Sequence, residues 1–302
     1  MSEISDDAIQ KLKKEHNVHY KESLVEEDEA ELLIIRSNVY VDLALLSKLP
    51  FLKFIIKAGS GIDNIDLDRM KERDVRLFTT PVNAHSVAEL ALLMILALRK
   101  RLGRLNAALK EGNWNAKYEV KGHNLYKSSL GIIGYGNIGR KLSLIANVIG
   151  MKILIYDHHP FDSIKQEHAS RAKGTFVSLE ELLMNSDTVS LHVPLTDGTR
   201  YMIDCPQFNL CRPNCILINT ARADLVNPTA LQEALLEKKI AGLGIDVHYH
   251  EPIHRIDALI NMDNVLATPH VGSQTVENIE LIGERIIDII TMLNNKGDEY
   301  YE

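Results

Sequence analysis

Cysteine is scarce in this chain. There are three in 302 residues, Cys205, Cys211 and Cys215, and no CxxC pair. Three thiols cannot all pair, so no disulfide framework is expected, and a reduced, cytoplasmic setting fits. Cys211 and Cys215 read as small buried residues. Long apolar runs are missing too. The longest, Leu90 to Leu98, falls short of the roughly 20 residues that a membrane-spanning helix needs. The opening MSEISDDAIQ is acidic and polar, unlike a secretory leader. Basic residues are outnumbered, 34 Lys and Arg against 41 Asp and Glu, for a net charge of −7 and with no basic run. That balance argues against non-specific binding of nucleic acid. Neither an internal repeat nor a low-complexity linker is visible.

What remains is an ordinary globular composition, 45% hydrophobic and 25% charged, in a chain long enough for two domains. Short apolar runs alternate with amphipathic segments. LLII (32–35), FLKFII (51–56), GIIG (131–134), MKILIY (151–156), DTVSLHV (187–193), CILIN (215–219), AGLGIDV (241–247) and NVLAT (264–268) read as buried strands. Helices are predicted over 4–15, 41–49, 86–101, 178–184, 228–239 and 275–295. Strand–helix alternation with short connections implies right-handed βαβ units and parallel sheets, in one block ending near Thr80–Pro81 and another from Leu130 to Pro269.

The segment LGIIGYGNIGRKL (130–142) carries Gly134, Gly136 and Gly139 as GxGxxG, with Asn137 and Ile138 inside it. An apolar strand precedes it and an amphipathic helix follows. The next strand ends in Asp157, 18 residues beyond Gly139. This is the dinucleotide-binding arrangement: a tight turn, a close backbone approach to pyrophosphate, and a helix N-terminus facing the phosphate charge. Asp157 suits the ribose hydroxyls of NAD and would repel a 2′-phosphate. His158 and His159 follow it and add no permanent cation, so NAD is expected over NADP.

NTARADLV (219–226), DVHYHEP (246–252) and ATPHVGS (267–273) each follow a predicted strand. In a doubly wound sheet those strand ends line one crevice, so an Arg, a Glu and a His share a rim. The chain here resembles the D-isomer-specific 2-hydroxyacid dehydrogenases. AGSGIDNID (58–66), TPVNAHSVAEL (80–90), GIIGYGNIGR (131–140), HVPLT (192–196), NTAR (219–222), the Glu-Pro of HEP (250–252) and TPHVG (268–272) match in order. The resemblance implies hydride exchange between NAD and a small anionic 2-hydroxy or 2-keto acid, with Arg222, Glu251 and His270 catalytic. It implies that Ser60, Gly61 and Ile62 hold the substrate carboxylate through backbone N–H groups. Thr220 and Asp246 would line the nicotinamide site, and Pro194 the cofactor. A homodimer is implied, formed partly by the region of ALLMILAL (91–98). The fold implied is α/β: two Rossmann-like domains with parallel sheets, the NAD-binding domain (82–272) inserted into a smaller flavodoxin-like substrate domain (1–81 and 273–302).

The residue types suit that chemistry. A neutral imidazole accepts the hydroxyl proton as hydride leaves C2, and an imidazolium returns it in reduction. A carboxylate on the other ring nitrogen fixes the tautomer, and a guanidinium forks onto a carboxylate. His248 and His250 form an HxH beside Glu251, but further metal ligands are not identified and hydride transfer needs no metal, so none is expected.

Within the family, KAGSGIDNIDL (57–67) and LLIIRSN (32–38) look most like D-3-phosphoglycerate dehydrogenase, which implies Arg36 and Lys57 as cations for a phosphorylated substrate. Interconversion of 3-phosphoglycerate and 3-phosphohydroxypyruvate, in serine biosynthesis, is therefore expected. Glyoxylate or hydroxypyruvate reduction is the enzymatic alternative, and an NAD-sensing scaffold the non-enzymatic one. Three departures stand out. The family's usual first strand would precede the helix at 4–15, where the chain has only Met1 to Glu3. The usual Gly-Gly after NTAR is Ala223–Asp224, which puts a negative charge near the cleft. Only KGDEYYE follows Asn295, which implies a short form without the serine-binding domain of longer phosphoglycerate dehydrogenases.

Overall fold

The computed structural model describes residues 4–19, 28–36, 39–253 and 258–296. Ser37, Asn38 and all of KGDEYYE after Lys296 lie outside them. The chain divides into two compact units, Met1–Asn83 with Ser273–Glu302, and Ala84–Gly272.

In the first unit, α1 (Asp6–Glu15) is followed by β1 (Leu32–Ile35), α2 (Leu43–Ser47), β2 (Phe54–Lys57), α3 (Leu67–Glu72) and β3 (Arg76–Thr79). Ser5, Asp42 and Asp66 cap the three helices, each side chain accepting the N–H three residues on. Among the described residues the three strands form one parallel sheet in the order β1-β2-β3. The closing helix, Val276–Lys296, buries Ile282, Ile286, Ile289 and Ile290, which cluster with Leu12 of α1 and Ile56 of β2. That stripe has the helical spacing seen in the sequence.

The second unit opens with α4 (Ala84–Arg99), α5 (Leu102–Lys110) and α6 (Ala116–Glu119). The helix predicted to reach Arg101 stops at Arg99, because Arg101 takes a left-handed φ of 56° and starts α5. Then come β4 (Ser129–Ile133), α7 (Asn137–Ile149), β5 (Lys152–Tyr156), α8 (Ser163–Arg171), β6 (Gly174–Phe176), α9 (Leu179–Asn185) and β7 (Thr188–Leu191). The unit ends with α10 (Cys205–Leu210), β8 (Ile216–Asn219), α11 (Pro228–Leu236), β9 (Gly242–Ile245) and β10 (Val265–Ala267). Seven strands pair in parallel in the order β10-β9-β8-β7-β4-β5-β6.

Every residue of β4, β7, β8 and β9 is buried, which is why they show in the sequence as near-continuous apolar runs. Met94 and Ile95 of α4 and Leu142 of α7 cover one face with Leu130 and Ile132. Leu182, Phe208, Leu231 and Leu235 cover the other. Burying each such side chain contributes about 1.5–3 kcal/mol. The chain runs outward from β4 to β6, then returns to β7 beside β4. The order reverses there, and at such a switch point the carboxyl ends of the strands open into a crevice. Strands β3 and β6 were not expected: RLFT and GTF are short, partly exposed edge strands with no continuous apolar run. Among the described residues no helix is long and apolar enough to cross a membrane.

Candidate active site

All parallel strands of the second unit deliver their following residues to one edge. After β4 comes Gly134, with a φ of 93° that favours glycine. A Cβ on Gly139 would lie 2.3 Å from the Gly134 carbonyl oxygen, so only glycine lets α7 start this close to the turn. A Cβ on Gly136 would meet nothing within 4 Å. Gly136 also caps α7 with no side chain on the helix N–H groups. Asn137 is exposed and Ile138 half-buried at this helix start. Space at Gly136 and uncapped N–H groups of a 13-residue helix are what a pyrophosphate requires.

After β5 comes Asp157, which is tied into the turn. Its Oδ2 accepts the N–H of Tyr135 at 2.8 Å, and its Oδ1 accepts the N–H of His159 at 2.8 Å. The ammonium of Lys165, on α8, lies 2.6 Å from Oδ1. The sequence showed no fixed cation beside Asp157; the structure supplies one, eight residues on. Burial opposes the charge of Asp157, but Lys165 and the two N–H groups outweigh it and hold its pKa below the ordinary value.

After β7 comes His192, whose Nε2 is 2.9 Å from the Ser190 hydroxyl. Its Nδ1 is buried without a partner, and burial lowers its pKa to about 4, so the ring is neutral at pH 7. Exposed Pro194 follows, its carbonyl accepting the Thr199 hydroxyl at 2.7 Å.

After β8 come Thr220 and Arg222. Asn219 holds this bend: its amide donates to the Arg222 carbonyl at 2.8 Å and its Oδ1 accepts the N–H of Ala221 at 3.1 Å. Arg222 is half-buried and donates from Nη1 to the Ala221 carbonyl at 2.6 Å. The Thr220 hydroxyl is buried with no hydrogen-bond partner, a second unsatisfied polar group on this edge. Asp224, expected to trouble an anionic ligand, is paired with Arg200 at 2.9 Å.

The residues after β9 and β10 form one assembly. Asp246 is 1% exposed, and its carboxylate accepts the Thr268 hydroxyl (2.6 Å) and the N–H groups of Val271 (2.8 Å) and Gly272 (2.7 Å). Both ends of the TPHVG segment are thereby fixed. His270 between them has a φ of 54°, and its Nδ1 lies 2.7 Å from Glu251 Oε2. The other oxygen of Glu251 accepts the N–H of His248 at 2.9 Å, while the His248 ring donates to the Thr268 carbonyl at 2.9 Å. Burial raises the Glu251 pKa, but the bonds from His270 and His248 outweigh it, leaving the carboxyl below its ordinary value. An ionised Glu251 accepts only, so neutral His270 carries its proton on Nδ1 and leaves Nε2 for chemistry. Hydrogen positions follow here from the bonding pattern.

The remaining expected residues belong to the first unit. Ser60 and Ile62 are exposed and Gly61 half-exposed in the bend after β2. Lys57 is buried, not a surface cation. Its ammonium donates to Asn64 Oδ1 at 3.0 Å, and the Asn64 amide reaches the Arg36 and Val39 carbonyls. Arg36 is half-buried and donates to the Ala58 carbonyl at 3.2 Å. Of the cysteines, Cys215 is buried, Cys211 half-buried and Cys205 exposed, and all three are free thiols.

The sequence pointed to Asp246 and Asp157 by position but gave no sign of their partners. Lys165 was missed altogether, while Thr268 appeared only as part of TPHVG and His248 only as part of the HxH, neither with the contact it makes. The one available signal was Gly272, where a Cβ would lie 2.9 Å from Asp246 Oδ2.

Residues 92–272 match the family model "D-isomer specific 2-hydroxyacid dehydrogenase, NAD binding domain". A hydroxypyruvate reductase of Thermotoga maritima is 37% identical over 87% of this chain and 84% of its own. A D-3-phosphoglycerate dehydrogenase of Methanocaldococcus jannaschii is 35% identical over 95% of this chain, which spans 55% of that longer protein. Among solved structures, the D-lactate dehydrogenase of Aquifex aeolicus complexed with NAD and lactic acid superposes with a TM-score of 0.80 at 34% identity, covering 87% of this chain and 82% of that one. The chain belongs to the D-isomer-specific 2-hydroxyacid dehydrogenases. Its second unit contains the NAD-binding domain of that family.

Proposed function

We propose that the chain interconverts a small D-2-hydroxy acid and its 2-keto acid, with His270 as the proton-transfer group. The observation that carries this is the His270–Glu251 contact at 2.7 Å on a loop clamped by Asp246. Bound NAD(H) would accept or supply the hydride. In reduction, His270 Nε2 hands its proton to the oxygen at C2; in oxidation it takes that proton away. Glu251 keeps the ring oriented and favours its charged form. Arg222 offers its planar fork to the substrate carboxylate and polarises the keto oxygen. Thr220 would flank the nicotinamide, Pro194 would line the cofactor, and Gly134, Gly136, Asn137, Ile138 and Gly139 would hold its pyrophosphate, while Asp246, sealed behind the loop, would act only by fixing it. In the first unit, Ser60, Gly61 and Ile62 are the loop whose backbone N–H groups the family resemblance gives to carboxylate binding.

For the substrate, 3-phosphohydroxypyruvate is favoured by Arg36, and by the pairing of Asp224 with Arg200, which removes a repulsive charge. This would place the reaction in serine biosynthesis. Hydroxypyruvate or glyoxylate reduction is the second reading, favoured by the burial of Lys57 on Asn64, which turns that cation to holding the loop. Turnover with NADH on 3-phosphohydroxypyruvate, hydroxypyruvate and glyoxylate decides between them. A kcat/KM at least about tenfold higher for the phosphorylated acid supports the first reading, a difference of about 1.4 kcal/mol in transition-state binding. No turnover of any 2-keto acid would leave the scaffold reading.

A homodimer is also proposed. Leu102, Leu109, Trp114, Tyr118 and Tyr126 are each more than half exposed in the α5–α6 region, a concentration of apolar surface that suits an interface. Three free thiols accord with a cytoplasmic setting.

A further inference from the structure

The amino ends of β8 and β9, on the sheet edge opposite the candidate active site, border a cavity of about 300 Å³ within the second unit. That is the lower end of the volumes that hold small ligands, about 300–1,000 Å³. Its cations are Arg99, the last residue of α4, Arg101, where the chain turns into α5, and His123. Leu98, Ile216 and Ala241 supply apolar wall. No Asp or Glu lines it, although Asp and Glu outnumber Lys and Arg by 41 to 34 in the chain as a whole. His123 is exposed and Arg101 half-buried, so the space is reachable from solvent. The backbone holds these cations together. The His123 N–H donates to the Arg99 carbonyl at 2.7 Å, and a Cβ on Gly122 would lie 2.9 Å from that same oxygen.

Arg99 is only 5% exposed, a costly place for a charge. Its one hydrogen bond among the described residues runs from Nη1 to the Asn214 carbonyl at 3.2 Å, and its Nε is buried without a partner. A guanidinium offers five donors, so most of them are unspent. Burial pushes its pKa down, and the neighbouring charge of Arg101 pushes the same way. The Asp187 carboxylate opposes both but is shared. It accepts the N–H (2.9 Å) and hydroxyl (3.0 Å) of Ser129 and the Asn214 amide (3.0 Å), and it pairs with Arg212 at 3.5 Å. A buried cation normally has a full counter-charge; here the negative charge is incomplete and a space lies open beside it. We propose that this cavity binds a small phosphomonoester, its dianionic head against Arg99 and Arg101 and a short apolar body against Leu98, Ile216 and Ala241. The inference goes beyond the dehydrogenase reading and needs neither its substrate nor its cofactor.

Calorimetric titration of the whole enzyme with phenyl phosphate, in saturating NADH, tests this. Wild type is expected to bind the probe, and to bind benzoate, the same ring with one charge, more weakly. Arg99→Met is expected to weaken phenyl phosphate by about 10- to 100-fold, the range for a hydrogen bond to a charged group. Arg101→Asn suits the left-handed backbone and is expected to weaken it by about two- to fivefold, as for an exposed ion pair. Arg99→Lys keeps the charge and is expected to lose less than Arg99→Met. Arg222→Gln is expected to leave the probe's affinity unchanged, which separates this cavity from the active site. Melting curves separate a ligand role from a structural one. Phenyl phosphate is expected to raise the melting temperature of wild type but not of Arg99→Met, and the variant alone should melt no lower than wild type, since it removes a charge held out of water. Wild type that binds no phenyl phosphate would overturn the proposal, as would benzoate binding equally well. Binding lost in Arg222→Gln but kept in Arg99→Met would assign the probe to the active site and overturn it too. An Arg99→Met that melts lower yet binds the probe unchanged would make Arg99 a strut for Asn214 and overturn it likewise.

Discussion

Asp157 and Asp246 occupy the same kind of place, each the first residue past the carboxyl end of a parallel strand, β5 and β9. Both carboxylates accept backbone N–H groups, and both lie on the edge where the site is built. Their surroundings differ. Asp157 faces a lysine and keeps an acceptor for something else. Asp246 is sealed, and its three partners are a hydroxyl and two N–H groups of the loop that carries His270. One strand end thus keeps an acceptor open, while the other has its carboxylate contacts within the loop that carries His270. Position at a strand end makes a carboxylate available to a site; the neighbours decide whether it recognises or supports.

The largest effect is expected where the supported loop meets the chemistry. His270→Ala removes the proposed proton-transfer group and is expected to lower kcat by roughly 10²–10⁴-fold. The melting temperature should stay near that of the parent, since His270 is a third exposed on its loop. A loss below tenfold would show that the loop clamped by Asp246 does not carry the acid–base group.

Exchanging the two aspartates' neutral isosteres breaks the comparison directly. Asp246→Asn turns one acceptor into a donor facing other donors, and unfolding in urea is expected to show a loss of about 1–3 kcal/mol. Asp157→Asn keeps the shape and an acceptor for the N–H groups, and Lys165, 19% exposed, can turn its ammonium toward solvent, so the expected loss is smaller, about 1 kcal/mol. Its effect should fall on cofactor choice, weakening NADH relative to NADPH. Equal destabilisation by the two variants would mean that Asp157 is as architectural as Asp246.

Much of this was legible in the sequence. Gly134 and Gly139 are dictated locally, by a positive φ and by a close helix start, so their spacing alone announces the turn. The buried strands β4, β7, β8 and β9 announce themselves as apolar runs because both faces are covered. Arg222, Glu251 and His270 stood out only through their motifs, since a single Arg, Glu or His carries no local signature. The rest was hidden by distance along the chain. Thr268 and Gly272 reach Asp246 across 22 and 26 residues, and Lys165 returns to Asp157 only because α8 starts with a turn. Strands β3 and β6 escaped because RLFT and GTF carry polar residues and no continuous apolar run, whereas the equally peripheral β1 and β10 showed as LLII and NVLAT.

The smallest effect concerns a third carboxylate, which stands between the other two in character. Glu251 is about one-third exposed, supports the His248 backbone with one oxygen, and holds His270 with the other. Its pKa is lowered, so it is ionised at neutral pH and favours the charged form of the imidazole beside it. Glu251→Gln keeps the shape and removes the charge. The imidazolium should then lose its proton sooner. Reduction needs the imidazolium, so its upper pH limit should move down; oxidation needs the neutral ring, so its lower limit should move down as well. Stability follows the opposite group. A depressed carboxyl stabilises the fold above the ordinary carboxylate range, and that contribution disappears as pH falls through the lowered pKa. Given the exposure, it should be below about 1 kcal/mol, and the Gln variant should lack it. Initial rates in both directions between pH 5 and 9, with melting curves over the acid limb, check both signs. A profile unmoved in both directions would separate Glu251 from the proton that His270 transfers, and leave it an architectural residue like Asp246.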